Sequence, residues 1–148
     1  FQTDSDGQTN PDEFEQMWEA RAQYDAQFGN RTKRGDGESR AFVERTLCRI
    51  LKHYFGVSLP DANAPFRLMS RGFMERHLGR IPENYNLPNA MLATFAAYYD
   101  DKHRFVPITF EARNAGENSI DMRKIFGIGT KALGDFREFK VQMQRDAE

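Results

Sequence analysis

The sequence predicts a mixed α/β fold in one domain, and three observations carry that expectation. Stretches with apolar residues at helical spacing alternate with short stretches of strand character, and glycines and prolines fall between them. At 148 residues, 39% hydrophobic and 13% aromatic, the chain holds enough apolar side chains for one modest core and too few for two. A net charge of -1 and a pI near 6.4 give no bulk attraction for nucleic acid, so no nucleic-acid partner is expected.

The first stretch, Phe1-Gln2-Thr3-Asp4-Ser5-Asp6-Gly7-Gln8-Thr9-Asn10-Pro11-Asp12-Glu13-Phe14, sets an Asp-x-Asp pair just ahead of a helix start. Asn10 suits the cap, Pro11 the first helical position, and Glu13 the place that completes a capping box. Asp4 and Asp6, with the Gln8 amide oxygen and Gly7 to turn the backbone, form a donor set for Mg²⁺ or Mn²⁺, ions that hold substrate phosphates. The same residues also make an ordinary polar turn. A third reading is a calcium loop of the EF-hand type, with Asp4, Asp6, Gly7 and Glu13 in register but Gln2 in the first ligand place and no helix entering it.

Residues 11 to 23 read as an amphipathic helix with Phe14, Met17 and Trp18 on the core side, and residues 24 to 28 as a short strand. A basic loop, residues 29 to 40, follows. Its cations Arg31, Lys33, Arg34 and Arg40 stand among glycines and fit either a phosphate clamp or a solvated loop. Ser39 is the expected cap of a helix to about residue 55, with Phe42, Val43, Leu47, Ile50, Leu51 and Tyr54 buried and Gly56 as its stop.

Pro60 and Pro65 keep the next stretch extended, and residues 66 to 69 form a strand candidate. Asp61 and Arg67 are ionisable residues in an otherwise apolar stretch, which fits a site wall or an incidental salt bridge. Helices are expected over 71 to 78 and 90 to 99, a proline-bearing loop with Tyr85 over 80 to 88, and a strand over 103 to 110 about Pro107. His53, His77 and His103 lack partners at metal-ligand spacing and read as surface or satisfied histidines. Arg113 opens a polar loop over 113 to 119.

The segment from 119 to 144 is amphipathic and helical, carrying Met122, Ile125, Phe126, Ile128, Leu133, Phe136, Phe139 and Val141, with Gly127 and Gly129 expected to break it in two. Such a pair imitates a DNA-binding helix-turn-helix over 119 to 141, and it could also lie on a membrane surface or cap the domain. Cys48 is the only cysteine, which excludes an internal disulfide and fits a reduced thiol in the cytosol. No run approaches the ~18 apolar residues that cross a bilayer, and no charged-then-apolar leader is present. A start at Phe1 instead of Met suggests processing or a longer parent.

Taken in order, these segments resemble the family-2 glycosyltransferases, specifically the polyprenyl-phosphate sugar transferases related to dolichyl-phosphate mannose synthase, over nearly the whole chain. Asp4-Ser5-Asp6-Gly7-Gln8 leading through Asn10-Pro11 into a helix looks like that family's Asp-x-Asp-x-Gln metal motif. Gly29-Asn30-Arg31 resembles its Gly-Ser-Arg strand end, and Arg34 and Arg40 fall where it has further basic residues. Asp61-Ala62-Asn63-Ala64-Pro65-Phe66-Arg67 is similar to its Asp-x-x-Ser-Gly-Phe-Arg segment, departing at Ala64-Pro65. Arg113-Asn114-Ala115-Gly116-Glu117-Asn118-Ser119 resembles its Arg-x-x-Gly-x-Ser segment with one residue added.

The resemblance implies the second half of a GT-A α/β/α sandwich, with the strands that bind the nucleotide base preceding the Asp-x-Asp pair. It implies that Asp4, Asp6 and Gln8 hold Mg²⁺ or Mn²⁺ on the diphosphate of a nucleotide-sugar donor. Arg31, Arg34, Arg40, Arg67 and Arg113 would face donor or acceptor phosphate, and Asp61 would be the base for a hydroxyl acceptor. The acceptor would be a polyprenyl phosphate or a saccharide, and the place of work the cytoplasm, at the inner membrane face. The processive Gln-x-x-Arg-Trp signature does not occur in the sequence, which disfavours a polysaccharide synthase.

Overall fold

The computed structural model describes residues 1–35, 37–111 and 122–146. A 3-10 turn, Pro11–Glu13, leads into helix α1, Phe14–Glu19. Strand β1, Ala26–Arg34, helix α2, Glu38–Phe55, and strand β2, Arg67–Met69, follow. Helix α3, Arg71–His77, continues into a 3-10 turn, Leu78–Arg80, ahead of helix α4, Pro88–Tyr98, strand β3, His103–Phe110, and helix α5, Met122–Asp146. The mixed α/β class expected from the sequence is the class observed.

Local chemistry sets several element ends. The Asn10 side chain accepts from the Asp12 N–H (3.1 Å), and the Ser70 hydroxyl accepts from the Phe73 N–H (3.1 Å) to start α3. Gly56, at φ 75, closes α2 in the left-handed region that a side chain disfavours.

Among the described residues the strands form one sheet in the order β2-β1-β3. β1 is antiparallel to β2, with Phe28 opposite Arg67, and parallel to β3 from Ala26 opposite His103 to Arg34 opposite Phe110. Phe28 and Phe105, adjacent across the parallel pair with ring centroids 5.5 Å apart, share one face. That face packs on Leu51 and Phe55 of α2, Phe73 of α3, Phe95 of α4 and Phe136 of α5. On the other face Val106 and Ile108 pack with Phe66 and with Met17 of α1. Full burial of one such side chain contributes about 1.5–3 kcal/mol. Gly29 lies on this second face, where a Cβ would stand 2.6 Å from Ile108 Cδ1 and 3.1 Å from the Phe66 carbonyl oxygen. The sheet closes here because no side chain is present.

Several expectations change. The helix expected over 11 to 23 is a single short α-turn run with a 3-10 lead-in, and Glu13 does not complete a capping box. Both Glu13 oxygens instead accept the Thr109 N–H (3.0 Å each). Trp18 is 49% exposed, stacked on Phe14 and covered by the Arg21 guanidinium at 4.3 Å. The strand expected over 24 to 28 runs on to Arg34, because β3 offers the basic stretch a parallel partner along its whole length. Gly37, not Ser39, sits at the start of α2, and Phe42 is 55% exposed.

α5 is one helix across Gly127 and Gly129, so the turn that a helix-turn-helix requires does not form there. Its Ala132, Phe136, Phe139 and Met143 are buried in the core. These four side chains are covered by protein. No helix among the described residues is long and apolar enough to cross a membrane.

The N-terminal stretch places the site. The Gln2 N–H donates to the Arg67 carbonyl (2.8 Å) and the Gln2 carbonyl accepts from the Arg67 N–H (2.9 Å), so this segment is antiparallel to β2 and runs with β1. Thr9 bridges Phe110, the last residue of β3. Residues 3 to 8 therefore pass from one edge of the sheet to the other at the end where the parallel strands β1 and β3 finish.

Candidate functional site

An Asp-x-Asp turn needs a backbone that reverses quickly and ends that are held. Gly7, at φ 73, supplies the left-handed step. The Gln8 N–H donates to Asp6 Oδ1 (3.3 Å), and the Gln8 amide nitrogen donates to the Glu111 carbonyl (2.7 Å) while Glu111 returns its N–H to the Gln8 carbonyl (2.8 Å). Gln8 is 2% exposed. Its side chain latches the turn to the exit of β3 and is not turned outward as a metal ligand would be. The turn carries two hard carboxylates, Asp4 exposed and Asp6 half-buried. Among the described residues no three His, Cys, Asp or Glu side chains form a group that could hold a metal ion by themselves. Two carboxylates, with other positions given to water and phosphate, fit the way Mg²⁺ is held on nucleotides.

Beside the turn lies a buried ionic cluster. Arg31, in β1, donates through Nε to Asp61 Oδ2 (2.7 Å), through Nη2 to Asp61 Oδ1 (2.8 Å), and through its backbone N–H to Asp61 Oδ2 (3.1 Å). The same Nη2 donates to Glu44 Oε2 (3.1 Å) from α2. The three side chains are 8%, 2% and 10% exposed for Arg31, Asp61 and Glu44. Glu44 Oε1 accepts from the Ala62 N–H (2.8 Å) and the Asn63 N–H (3.2 Å). Burial works against the Asp61 carboxylate, but the bonds and charge of Arg31 outweigh it and hold its pKa below the ordinary range. Burial and then the Asp61 charge push Glu44 the other way. The Cys48 thiol, next to Glu44, is pushed up to about 12 by burial, which makes it an unreactive thiol.

Arg67 is fully buried. Its Nε donates to the Ala64 carbonyl (2.7 Å), Nη1 to Asn89 (2.6 Å) and Nη2 to Ala62 (3.0 Å), over the Phe28 ring at 5.5 Å. Its guanidinium fixes the 62–64 segment from beneath and is not presented to a phosphate. Asp61, expected as a general base, is a locked partner of Arg31; a carboxylate with lowered proton affinity accepts a proton poorly. Arg40 sits half-buried in the first turn of α2 and Arg34 ends β1. Arg113 lies outside the described residues, as does the loop after it.

The structure thus brings Arg31, Asp61 and Arg67 into one wall and sets the Asp4 to Asp6 turn beside it, joined through Arg67, which pairs with Gln2, and Phe110, whose ring lies 5.2 Å below the Arg31 guanidinium. Glu44 was not anticipated. The signal was present: Ala41, Glu44, Cys48, Leu51 and Phe55 follow one another at three- and four-residue steps along α2, which puts a carboxylate on the buried stripe. Set against protein-family models, curated proteins and solved structures, the chain matches none of them.

Proposed function

We propose that this chain carries the metal-holding and acceptor-facing part of an inverting family-2 glycosyltransferase of the GT-A type. The donor is a nucleotide sugar and the acceptor a lipid-linked phosphate. The observation that carries the reading is the Asp4-x-Asp6 turn crossing the carboxyl ends of parallel strands, the place where open α/β sheets bind phosphate-bearing ligands. The order of the Asp-x-Asp, Gly29-Asn30-Arg31 and Asp61 to Arg67 segments adds to it. When bound, Mg²⁺ or Mn²⁺ supplies positive charge to the departing nucleoside diphosphate. Asp4 and Asp6 are the residues that would hold it, and Arg40 lies on the nearest turn of α2 to the end of β1.

The character of Asp61 selects between acceptors. An acceptor hydroxyl must lose a proton, and Asp61 is poorly suited to take it. An acceptor phosphate is already anionic: its oxygen bonds to the anomeric carbon while the bond to the diphosphate oxygen breaks and that electron pair leaves with the diphosphate, so no base is needed. A phosphate acceptor is therefore the better fit, and the same reading sets the reaction at the cytosolic face of a membrane.

Calorimetric titration with Mn²⁺, alone and with guanosine or uridine diphosphate, tests the proposal on the full chain and on Asp6→Ala. The expected outcome is Mn²⁺ binding that tightens with a diphosphate and is lost in the variant. Equal binding by wild type and Asp6→Ala, or none by the wild type, would sink it.

A further inference from the structure

Two buried carboxyl groups, Glu44 and Asp61, draw on one donor nitrogen, Arg31 Nη2, and Arg31 is the guanidinium that touches them. The other neighbours of Glu44 are the Ala62 and Asn63 N–H groups and the Cys48 thiol at 3.6 Å. Among the described residues Arg67 is a second buried guanidinium; its bonds go to backbone carbonyls, with neither carboxyl among them, and its charge reaches both only through space. Asp61 holds the better position on Arg31, with the Nε and backbone bonds as well. A second full negative charge at Glu44 would share what is left, at one bond of 3.1 Å, in a site where the side chains are 8% and 10% exposed.

We infer that Glu44 is a positioning residue which works as a neutral carboxylic acid, bracing Arg31 against Asp61 and pinning the turn over residues 61 to 63. Oε1 is occupied by two backbone donors, so the proton belongs on Oε2, on the side of the Arg31–Asp61 pair. The upward pull on its pKa by burial and by Asp61 agrees with this placement. Without Glu44 the Ala62 N–H loses its buried acceptor and Arg31 loses a support, and the wall facing the Asp4–Asp6 turn is no longer preset. The inference rests on the functional reading above only for what this wall binds; the proton and the brace are tested without ligand.

Infrared difference spectra between wild type and Glu44→Gln should show a protonated-carboxyl carbonyl band at neutral pH that belongs to Glu44. In thermal unfolding, wild type should lose stability relative to Glu44→Gln as pH rises through the Glu44 titration, since the amide mimics the neutral acid. Glu44→Ala should melt lower than both at every pH. In calorimetry with Mn²⁺ and guanosine or uridine diphosphate, wild-type affinity should fall on the alkaline side. Glu44→Gln should flatten that fall, and Glu44→Ala should bind about tenfold more weakly throughout, the loss of roughly one charge-assisted hydrogen bond. Absence of the carbonyl band, or a Glu44→Gln protein with the same pH dependence as wild type, overturns the inference. If the wild type binds no diphosphate, the functional reading fails while the band and the melting profile still decide the state of Glu44.

Discussion

Asp61 and Arg31 form the kind of contact whose halves cost more to remove singly than together. Asp61→Ala leaves a guanidinium of 8% exposure with one of the two carboxyls described beside it, and removing one partner of a buried pair costs about 3–5 kcal/mol. Arg31→Met with Asp61→Leu removes both charges, and its penalty should fall well below the sum of the single ones. Urea unfolding of the singles and the double checks this, and additivity within error would mean that the pair does not interact. Gly29 gives a second residue-level case. A methyl there meets Ile108 Cδ1 at 2.6 Å and the Phe66 carbonyl at 3.1 Å, so Gly29→Ala should destabilise by about 1–3 kcal/mol through overpacking. Ile108→Val deletes the nearer atom and should recover part of the loss in the double variant. A neutral Gly29→Ala would show that the three strands do not close as tightly as the structure has them.

Elements differ in how much of them was legible beforehand. β3 was read to its ends, because Phe105, Val106, Ile108 and Phe110 declare a strand and Pro107 stands exposed on an edge, where a missing N–H is tolerated. The close of α2 was legible for the same reason, since Gly56 acts locally. The basic run after Gly29 looked like a loop because its strand character comes from a partner roughly 75 residues away in sequence, and pairing of that kind leaves no local trace. Glu44 was missed because a lone carboxylate on an apolar stripe is read as noise until its backbone donors are in view. Trp18 was assigned to the core by spacing, but α1 ends at Glu19, too short to wrap its full stripe against the sheet, and Met17 takes the buried place. As the single tryptophan, Trp18 should fluoresce as a solvent-contacting indole in the native state and be quenched by acrylamide almost as readily as in urea. Strong protection from quencher would put it back in the core. On α5, no described atom beyond the helix's own neighbouring backbone lies within 4 Å of where a Gly134 Cβ would stand, so Gly134→Ala should raise the melting temperature, worth about 0.5–1 kcal/mol of helix stability.

Across the whole molecule, ionisable groups gather at two opposite ends of the sheet. At the carboxyl ends of β1 and β3 stand Arg31, Asp61 and Glu44. At the other end His77 of α3 bonds through Nε2 to Asp101 Oδ2 (2.6 Å), while Arg76 bridges Asp101 (2.8 Å) and Asp25 (3.2 Å), just ahead of β3 and β1. The His77 ring is stacked on Phe95 and Tyr99, and its Nδ1 is buried without a hydrogen-bond partner. Burial is the main influence and pulls the His77 pKa below its ordinary 6.5, the Asp101 carboxylate opposing it only in part. A depressed folded-state pKa means stability that is complete above 6.5 and is lost as pH falls through the lower folded value. Asp61 has the same sign further down, its contribution complete above 3.8 and lost below that as it protonates. Glu44 has the opposite sign, complete below 4.5 and lost as pH rises through its raised value. Between pH 7 and 5, then, destabilisation on acidification should come from His77. His77→Gln retains an N–H for Asp101 and removes the titration, so its stability should change little over that range while wild type falls, although the variant starts lower at pH 8. Diphosphate binding with Mn²⁺, governed from the other end of the sheet, should keep its own pH profile in His77→Gln. Chemical denaturation at stepped pH measures the first effect and calorimetry the second. A wild type and a His77→Gln protein that lose stability in parallel on acidification would remove His77 from the account.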